Sequence, residues 1–227
     1  QRRTGIKTIL ARSAGHFAES SELLDELAVQ DLEVVSAPAG LSIQALCTLS
    51  AARQRNVLRY WLRQLGLSIP DSRNLQRILD EVLPAAADAT PLVSWRGTEV
   101  RRYRDYLYAM SPLSPVPDEW EPQPWNGEEV MVLPAGLGEI HMVREMAGGL
   151  REELLRTAEV SFGWRRGGEV MALPGRSGHH ALKKLYQEAA VPPWERGRRP
   201  LLFINGQLAQ VTGLWSDSRF VCGENEQ

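Results

Sequence analysis

The stretch Gly175–Phe203, GRSGHHALKKLYQEAAVPPWERGRRPLLF, decides the class of fold. Leu182, Leu185, Tyr186 and Ala189 fall at helical spacing and predict a short amphipathic helix. Pro192-Pro193-Trp194 stops it, because proline lacks the N–H that the next turn needs. The chain then turns strand-like: Leu201–Ile204 and Gln207–Val211 are apolar runs joined by Asn205-Gly206, a strong two-residue hairpin signal. Upstream, Val160–Trp164 and Glu169–Leu173 predict a second hairpin through Arg165-Arg166-Gly167-Gly168, with glycine supplying the positive φ angles. Residues 125–227 therefore read as an α+β module of short antiparallel strands and one or two helices.

The same stretch carries the charge. Only three lysines occur in the chain, and Lys183 and Lys184 stand side by side on the predicted helix. Gly178 is placed to cap that helix, whose first turn offers unpaired N–H groups to an anion. Arg176, Lys183, Lys184 and His179 would surround this end, with Arg165 and Arg166 on the hairpin tip and Arg196, Arg198 and Arg199 beyond the proline stop. Spacing alone accounts equally well for a solvated helix face. His179-His180 has no further ligand at metal spacing. No serine lies in a Gly-x-Ser-x-Gly elbow, and no facing pair of carboxylates is evident.

The preceding residues predict a mainly α module with a β-hairpin, over 1–110. A helix-rich segment, Ile9–Val35, carries an apolar stripe of Leu23, Leu24 and Leu27, and Pro38-Ala39-Gly40 breaks it. A second helix opens near Ser50 and ends at Gly66, with Val57, Leu58, Trp61, Leu62 and Leu65 inward. Arg55, Arg59 and Arg63 form a basic stripe on its other side, spaced ~6 Å per four residues, close enough to track phosphates. A solvated face is the plainer reading of the same stripe. A third helix starts at Pro70-Asp71-Ser72, with Leu75, Ile78, Leu79 and Val82 inward. A hairpin turns at Trp95-Arg96-Gly97-Thr98 and carries Arg101, Arg102 and Arg104 among Tyr103 and Tyr106.

Residues 111–124, with five prolines, predict a stiff connector in which Trp120 docks on neighbouring structure, as does Trp125 after it. The net charge of −2 conceals segregation. Residues 51–110 sum to +4, 111–160 to −7 and 161–199 to +5. Local patches, not totals, attract a polyanion. No run approaches the ~20 apolar residues of a membrane-spanning helix. Cys47 and Cys222 stand far apart, which suits free thiols in a reducing cytoplasm.

The blocks LKKLYQEAAVPPW (Leu182–Trp194), RGRRPLLF (Arg196–Phe203), QVTGLW (Gln210–Trp215) and VSFGWRRGGE (Val160–Glu169) resemble the C-terminal domain of bacterial tRNA(Ile)-lysidine synthetases. Ser50–Leu83 and RRYRDYLY (Arg101–Tyr108) are similar to that family's central substrate-binding domain, so the resemblance spans nearly the whole chain in order. It implies an enzyme that begins with an ATP-pyrophosphatase domain, whose Ser-Gly-Gly loop binds ATP with magnesium. That domain adenylates the wobble cytidine of an isoleucine tRNA with a CAU anticodon, and lysine displaces AMP. This sequence holds no such loop; Ala147-Gly148-Gly149 is the nearest string and precedes no matching signature. The expectation is a cytoplasmic C-terminal fragment that orients tRNA by its acceptor arm and does no catalysis. ATP and magnesium would belong to the absent domain, its partner in cis. The resemblance assigns the basic residues named above to the tRNA backbone. From a different class, a protein-interaction or homodimer module could use Trp194, Phe203 and Trp215 as apolar anchors.

Overall fold

Side-chain caps start three helices of the first half. Ser42 accepts from the Ala45 amide at 3.2 Å, Ser50 from Arg53 at 3.5 Å and Asp71 from Asn74 at 2.8 Å, each satisfying an N–H that the helix leaves free. The computed structural model describes residues 2–86, 89–116, 121–144 and 149–222. Pro117, Trp120 and Ala147-Gly148 lie outside the described residues. Two compact units form, residues 1–113 and 114–227.

The first unit runs α1 (Arg2–Val35), β1 (Ser36–Ala37), β2 (Gly40–Ser42), α2 (Ile43–Thr48), α3 (Ala51–Gln64) and α4 (Ser72–Arg77). A π-helical turn (Ile78–Val82) then leads to β3 (Leu92–Trp95), β4 (Thr98–Tyr103) and β5 (Tyr106–Met110). Its antiparallel sheet has the order β1-β2-β5-β4-β3. Val57, Leu58, Trp61 and Leu62 of α3 pack with Leu75, Ile78 and Val82 and with Val93, Val100 and Leu107 from the sheet. Gly66 ends α3 at φ 69°, as its position predicts, and Leu67 donates back to the Leu62 carbonyl at 2.9 Å. The segment 100–108 is not one strand: it turns at Arg104-Asp105, with Arg104 at φ 53°, so two hairpins stand where one is predicted.

Helix α1 buries a different face from its leucine stripe. Leu23 and Leu24 are 65% and 50% exposed, while Ala28, Asp31 and Val35 are buried. The reason is electrostatic as well as apolar. The Asp31 carboxylate, withdrawn from water, takes a two-pronged guanidinium bond from Arg53 of α3, which turns this face inward. The β1–β2 turn imposes a tighter constraint. Gly40, at φ 148°, lies against the backbone of β5, where any Cβ would overlap the Leu107 carbonyl oxygen.

The second unit continues with β6 (Gln123–Pro124), β7 (Val130–Val132), β8 (Glu139–His141), α5 (Glu152–Thr157), β9 (Val160–Gly163), β10 (Val170–Met171) and β11 (His180–Ala181). It closes with α6 (Leu182–Glu188), α7 (Pro193–Arg196), β12 (Leu201–Ile204), β13 (Gln207–Val211) and β14 (Trp215–Ser216). Its main sheet has the order β14-β13-β12-β9-β6. Asn205-Gly206 forms the predicted turn, with φ angles of 50° and 73°. The other predicted hairpin is not formed. Strand β9 is paired on one side by β12 and on the other by β6, so β10 pairs with β11 instead. The end of the proline-rich segment is thereby an edge strand, where Pro124 costs no ladder bond, and Val116 and Trp125 pack on the core.

Two apolar clusters fill this unit. One holds Phe162, Trp164, Leu202 and Ile204; the other holds Met171, Leu182, Leu185, Tyr186, Leu201, Leu208 and Val211. The two use alternate residues of β12, as the period of a strand requires. Asp217, fully buried, ties the second cluster together. Its carboxylate accepts from the Ala172 amide at 2.8 Å, the Arg219 amide at 3.0 Å and two guanidinium nitrogens of Arg219 at 2.9 Å. Burial pushes this carboxyl up, but the Arg219 bond and the two backbone amides outweigh it and hold it below the ordinary aspartate range.

Three outcomes follow for denaturant unfolding. Leu62→Ala, at a fully buried position, lowers stability by about 2–5 kcal/mol. Gly40→Ala costs more than the ~1 kcal/mol of an average substitution, because the clash is with backbone. The Asp217 contribution is present above the unfolded pKa near ~3.9 and is lost as pH falls through its lower folded value. Asp217→Asn therefore lowers stability at pH 7 by about 1–3 kcal/mol and removes that acid-limb increment.

Candidate nucleic-acid interface

In the first unit, α3 presents its arginines opposite the core residues Val57, Leu58, Trp61 and Leu62, as helical spacing demands. The three are not equivalent. Arg55 donates to Gln76 at 2.9 Å, and Arg63 to Asp25 at 2.7 Å while lying over the Tyr60 ring at 5.2 Å. Arg59 is exposed and makes no ion pair or hydrogen bond among the described residues. The hairpin arginines divide as well. Arg102 is buried and donates to the carbonyls of Leu83 and Arg104, so its role is structural. Arg101 is paired with Glu99 at 2.6 Å, and Tyr103 is core.

In the second unit the lysines lie on the outer face of α6, above buried Leu182, Leu185 and Tyr186. Lys183 is exposed without a partner among the described residues, and Lys184 reaches only Glu188, at 3.9 Å. Gly178 does not cap this helix. The α6 segment begins at Leu182, its cap residue Ala181 belongs to β11, and the Leu182 amide is taken by the Glu169 carbonyl at 2.9 Å. Nor does Arg176 surround that end. It bonds Glu188, the last residue of α6, at 2.7 Å. The Arg176 hydrogen bond lowers the Glu188 carboxyl below its ordinary range against a desolvation cost, aided by the charges of Arg176, Lys184 and His180. Hence Arg176 and Lys184 meet at the carboxyl end of the helix, while His179 stays exposed in the preceding turn.

The remaining arginines gather elsewhere. Arg165 leaves the end of β9, reaches Glu169 at 3.4 Å and approaches the Tyr186 ring to 6.0 Å. Arg166 is exposed at the tip, where the Arg166 and Gly167 amides donate to Glu169 at 2.5 and 2.7 Å. Arg196 is tied to the Val191 carbonyl at 2.8 Å, Arg198 to the Ser114 carbonyl, and Arg199 to Glu195 at 3.0 Å. Arg165, Arg196 and Arg199 all act electrostatically on the Tyr186 hydroxyl. Sequence spacing treats Tyr186 as plain core and places Arg165 in a turn, so their meeting is invisible before β9 and β12 pair.

Trp215 stacks obliquely on Tyr186, with centroids 5.5 Å apart, and Phe203 packs on the same cluster. Both are half-buried, as is Trp194. Cys47 and Cys222 are free thiols. Among the described residues no group of three or more His, Cys, Asp or Glu side chains is arranged to hold a metal, and no helix is long and apolar enough to cross a membrane.

Comparison with known proteins matches these units to two family models. Residues 41–108 match the TilS substrate binding domain and residues 160–227 the TilS substrate C-terminal domain. The chain is 38% identical over 215 residues to the tRNA(Ile)-lysidine synthase of Methylococcus capsulatus, covering 93% of this chain and 48% of that protein. It is 37% identical over 208 residues to the protein of that name from Coxiella burnetii, covering 92% and 46%. For Alkalilimnicola ehrlichii the identity is 36% over 211 residues, covering 93% and 47%. The chain thus spans about half the length of these relatives. It belongs to the TilS family, with the substrate-binding domain in its first unit and the substrate C-terminal domain in its second.

Proposed function

We propose that this chain is the tRNA-recognition part of a tRNA(Ile)-lysidine synthase, the ligase that joins lysine to the wobble cytidine of the CAU-anticodon isoleucine tRNA with ATP. The observation that carries this reading is the match to two domains described by their substrate, in a chain 36–38% identical to proteins of that name. On this reading ATP and magnesium serve a catalytic domain outside these residues. The contribution of this chain is to hold tRNA by its acceptor arm, so that the anticodon reaches a distant site.

Exposed cations support that division of labour. Lys183, Lys184, Arg59 and Arg166 project from rigid elements or tight turns, and positive charge of this kind binds phosphate by releasing counterions. The paired arginines, Arg55, Arg63, Arg176, Arg196, Arg198 and Arg199, are held in place by their carboxylate, amide and carbonyl partners, which lowers the ordering cost of a phosphate contact. Helical RNA hides its base edges in a deep, narrow groove, so recognition here is of shape and backbone. A protein contact is the second reading. It is favoured by Phe17, Leu23, Leu24 and Val34, apolar residues 75%, 65%, 50% and 64% exposed on α1.

Two measurements separate these readings. Substituting Lys183 and Lys184 together by Ala leaves the fold intact and flattens the salt dependence of tRNA binding by roughly one to two units of log–log slope. An unchanged slope in a folded double variant removes the α6 lysines from the interface. Light scattering across a concentration series gives a monomer under the tRNA reading alone, whereas a concentration-dependent dimer shows that an apolar face such as that of α1 is a contact surface.

A further inference from the structure

Three hydrogen bonds converge on Ser68, in the loop that joins α3 to α4. Its amide donates to the Thr98 hydroxyl at 3.1 Å, its hydroxyl donates to the Arg96 carbonyl at 3.0 Å, and its carbonyl accepts from the Trp95 indole at 3.0 Å. Thr98 and Trp95 are buried, so the helical loop and the β3–β4 turn form one braced tip. Arg96 and Gly97 occupy that turn at φ 34° and 75°. Glycine adopts such angles freely, whereas side chains other than those of asparagine and aspartate disfavour them. The Asn205-Gly206 hairpin follows that preference. Arg104, a second arginine at positive φ, lies over the Tyr103 ring at 5.4 Å. Arg96 has no such contact to offset its conformation. Its side chain is exposed and makes no ion pair or hydrogen bond among the described residues.

Two more free cations stand around the same loop. Arg55 of α3 donates to Gln76 of α4 at 2.9 Å, which sets these two helix faces side by side. From that bond, Arg59 lies one turn along α3 and Arg73 one turn back along α4, both toward the connecting loop. Both are exposed, and neither side chain makes an ion pair or hydrogen bond among the described residues. Arg73 also sits against local preference. It occupies the first turn of α4, where the helix dipole favours an acidic side chain and none is present. The neighbouring carboxylates are engaged: Asp71 caps α4, Asp80 accepts from Gln76, Glu81 holds Arg77 and Glu99 holds Arg101. Positions that break local rules without a gain to the fold are those where function is expected. Two of these three arginines are such positions.

We infer that Arg59, Arg73 and Arg96 form a contact tract for the backbone of an RNA strand, at the α3–α4 loop end of the first unit. Assigning the strand to RNA rests on the tRNA reading above. Guanidinium groups suit this ligand because their planar forks bond phosphate oxygens in pairs, and all three are open to solvent. The tract crosses from α3 to α4 and on to the β3–β4 tip, so it extends the α3 stripe sideways. With its turn braced through Ser68, Arg96 gives the strand a fixed point, and fixed backbone contacts set register.

Titration of CAU-anticodon isoleucine tRNA into the chain over a salt series tests the tract. Arg59→Ala, Arg73→Ala and Arg96→Asn each reduce the log–log slope by about one unit. Arg73→Ala and Arg96→Asn also raise the thermal unfolding midpoint, because each removes a local cost that the arginine imposes. A gain in stability joined to a loss of slope is the signature expected; an idle surface arginine gives the first without the second. Salt-dependent binding by the wild-type chain, with a slope unchanged in all three variants, overturns the tract and leaves the tRNA reading standing. A lowered midpoint in Arg96→Asn shows that this arginine serves the fold and overturns its place in the tract. A wild-type chain that binds no tRNA at low salt overturns both.

Discussion

The second unit is organised around one buried carboxylate. Asp217 accepts from Ala172 after β10 and from the backbone and side chain of Arg219, while its own amide bonds the Ala209 carbonyl of β13 at 2.8 Å. Because the group has no access to water, all of these donors must stay in place for the charge to be tolerated. The bonds link the small β10–β11 ribbon to the main sheet. Helix α6 leaves that ribbon directly, so its inward side chains meet the sheet at a fixed angle. The position of Tyr186 under Arg165 is a consequence. In the first unit, Asp31 and Arg53 join α1 to α3 by the same device.

Local rules were sufficient for much of this. Ser50, Asp71 and Gly66 mark helix ends because each satisfies or relieves a particular terminal backbone group, a matter of four residues. Asn205-Gly206 fixes a hairpin for a comparably local reason. Apart from the missed turn at Arg104-Asp105, the failures are non-local. Val160–Trp164 was expected to pair with Glu169–Leu173, the nearest apolar run, but β12 offers a longer ladder from forty residues away. The leucine stripe of α1 looks like a core face until Asp31 finds Arg53. Glycine at 178 suits a helix cap, yet the Glu169 carbonyl takes the Leu182 amide and a strand occupies the approach.

Site chemistry was legible as residue type and illegible as arrangement. The excess of arginine over lysine and the blocks of opposite charge are properties of the sequence, and they point to a polyanion more than to an apolar partner. Which cations are already engaged is a property of the fold. Arg102 is spent on backbone carbonyls, whereas Arg176 is held by Glu188, and Arg55 and Arg63 by Gln76 and Asp25, so equal-looking arginines differ in what they can offer. Tyr186 entered the sequence reading only as a core position of α6, and that its hydroxyl lies in the field of Arg165, Arg196 and Arg199 follows from the fold alone.

The central claim is that this chain recognises tRNA through its own residues. Its most direct test is binding of CAU-anticodon isoleucine tRNA to the chain at two salt concentrations, with an acceptor-stem minihelix and an anticodon stem-loop as competitors. Salt-sensitive binding displaced by the minihelix and not by the stem-loop is the expected result. No binding at low salt, or displacement by the stem-loop alone, contradicts it.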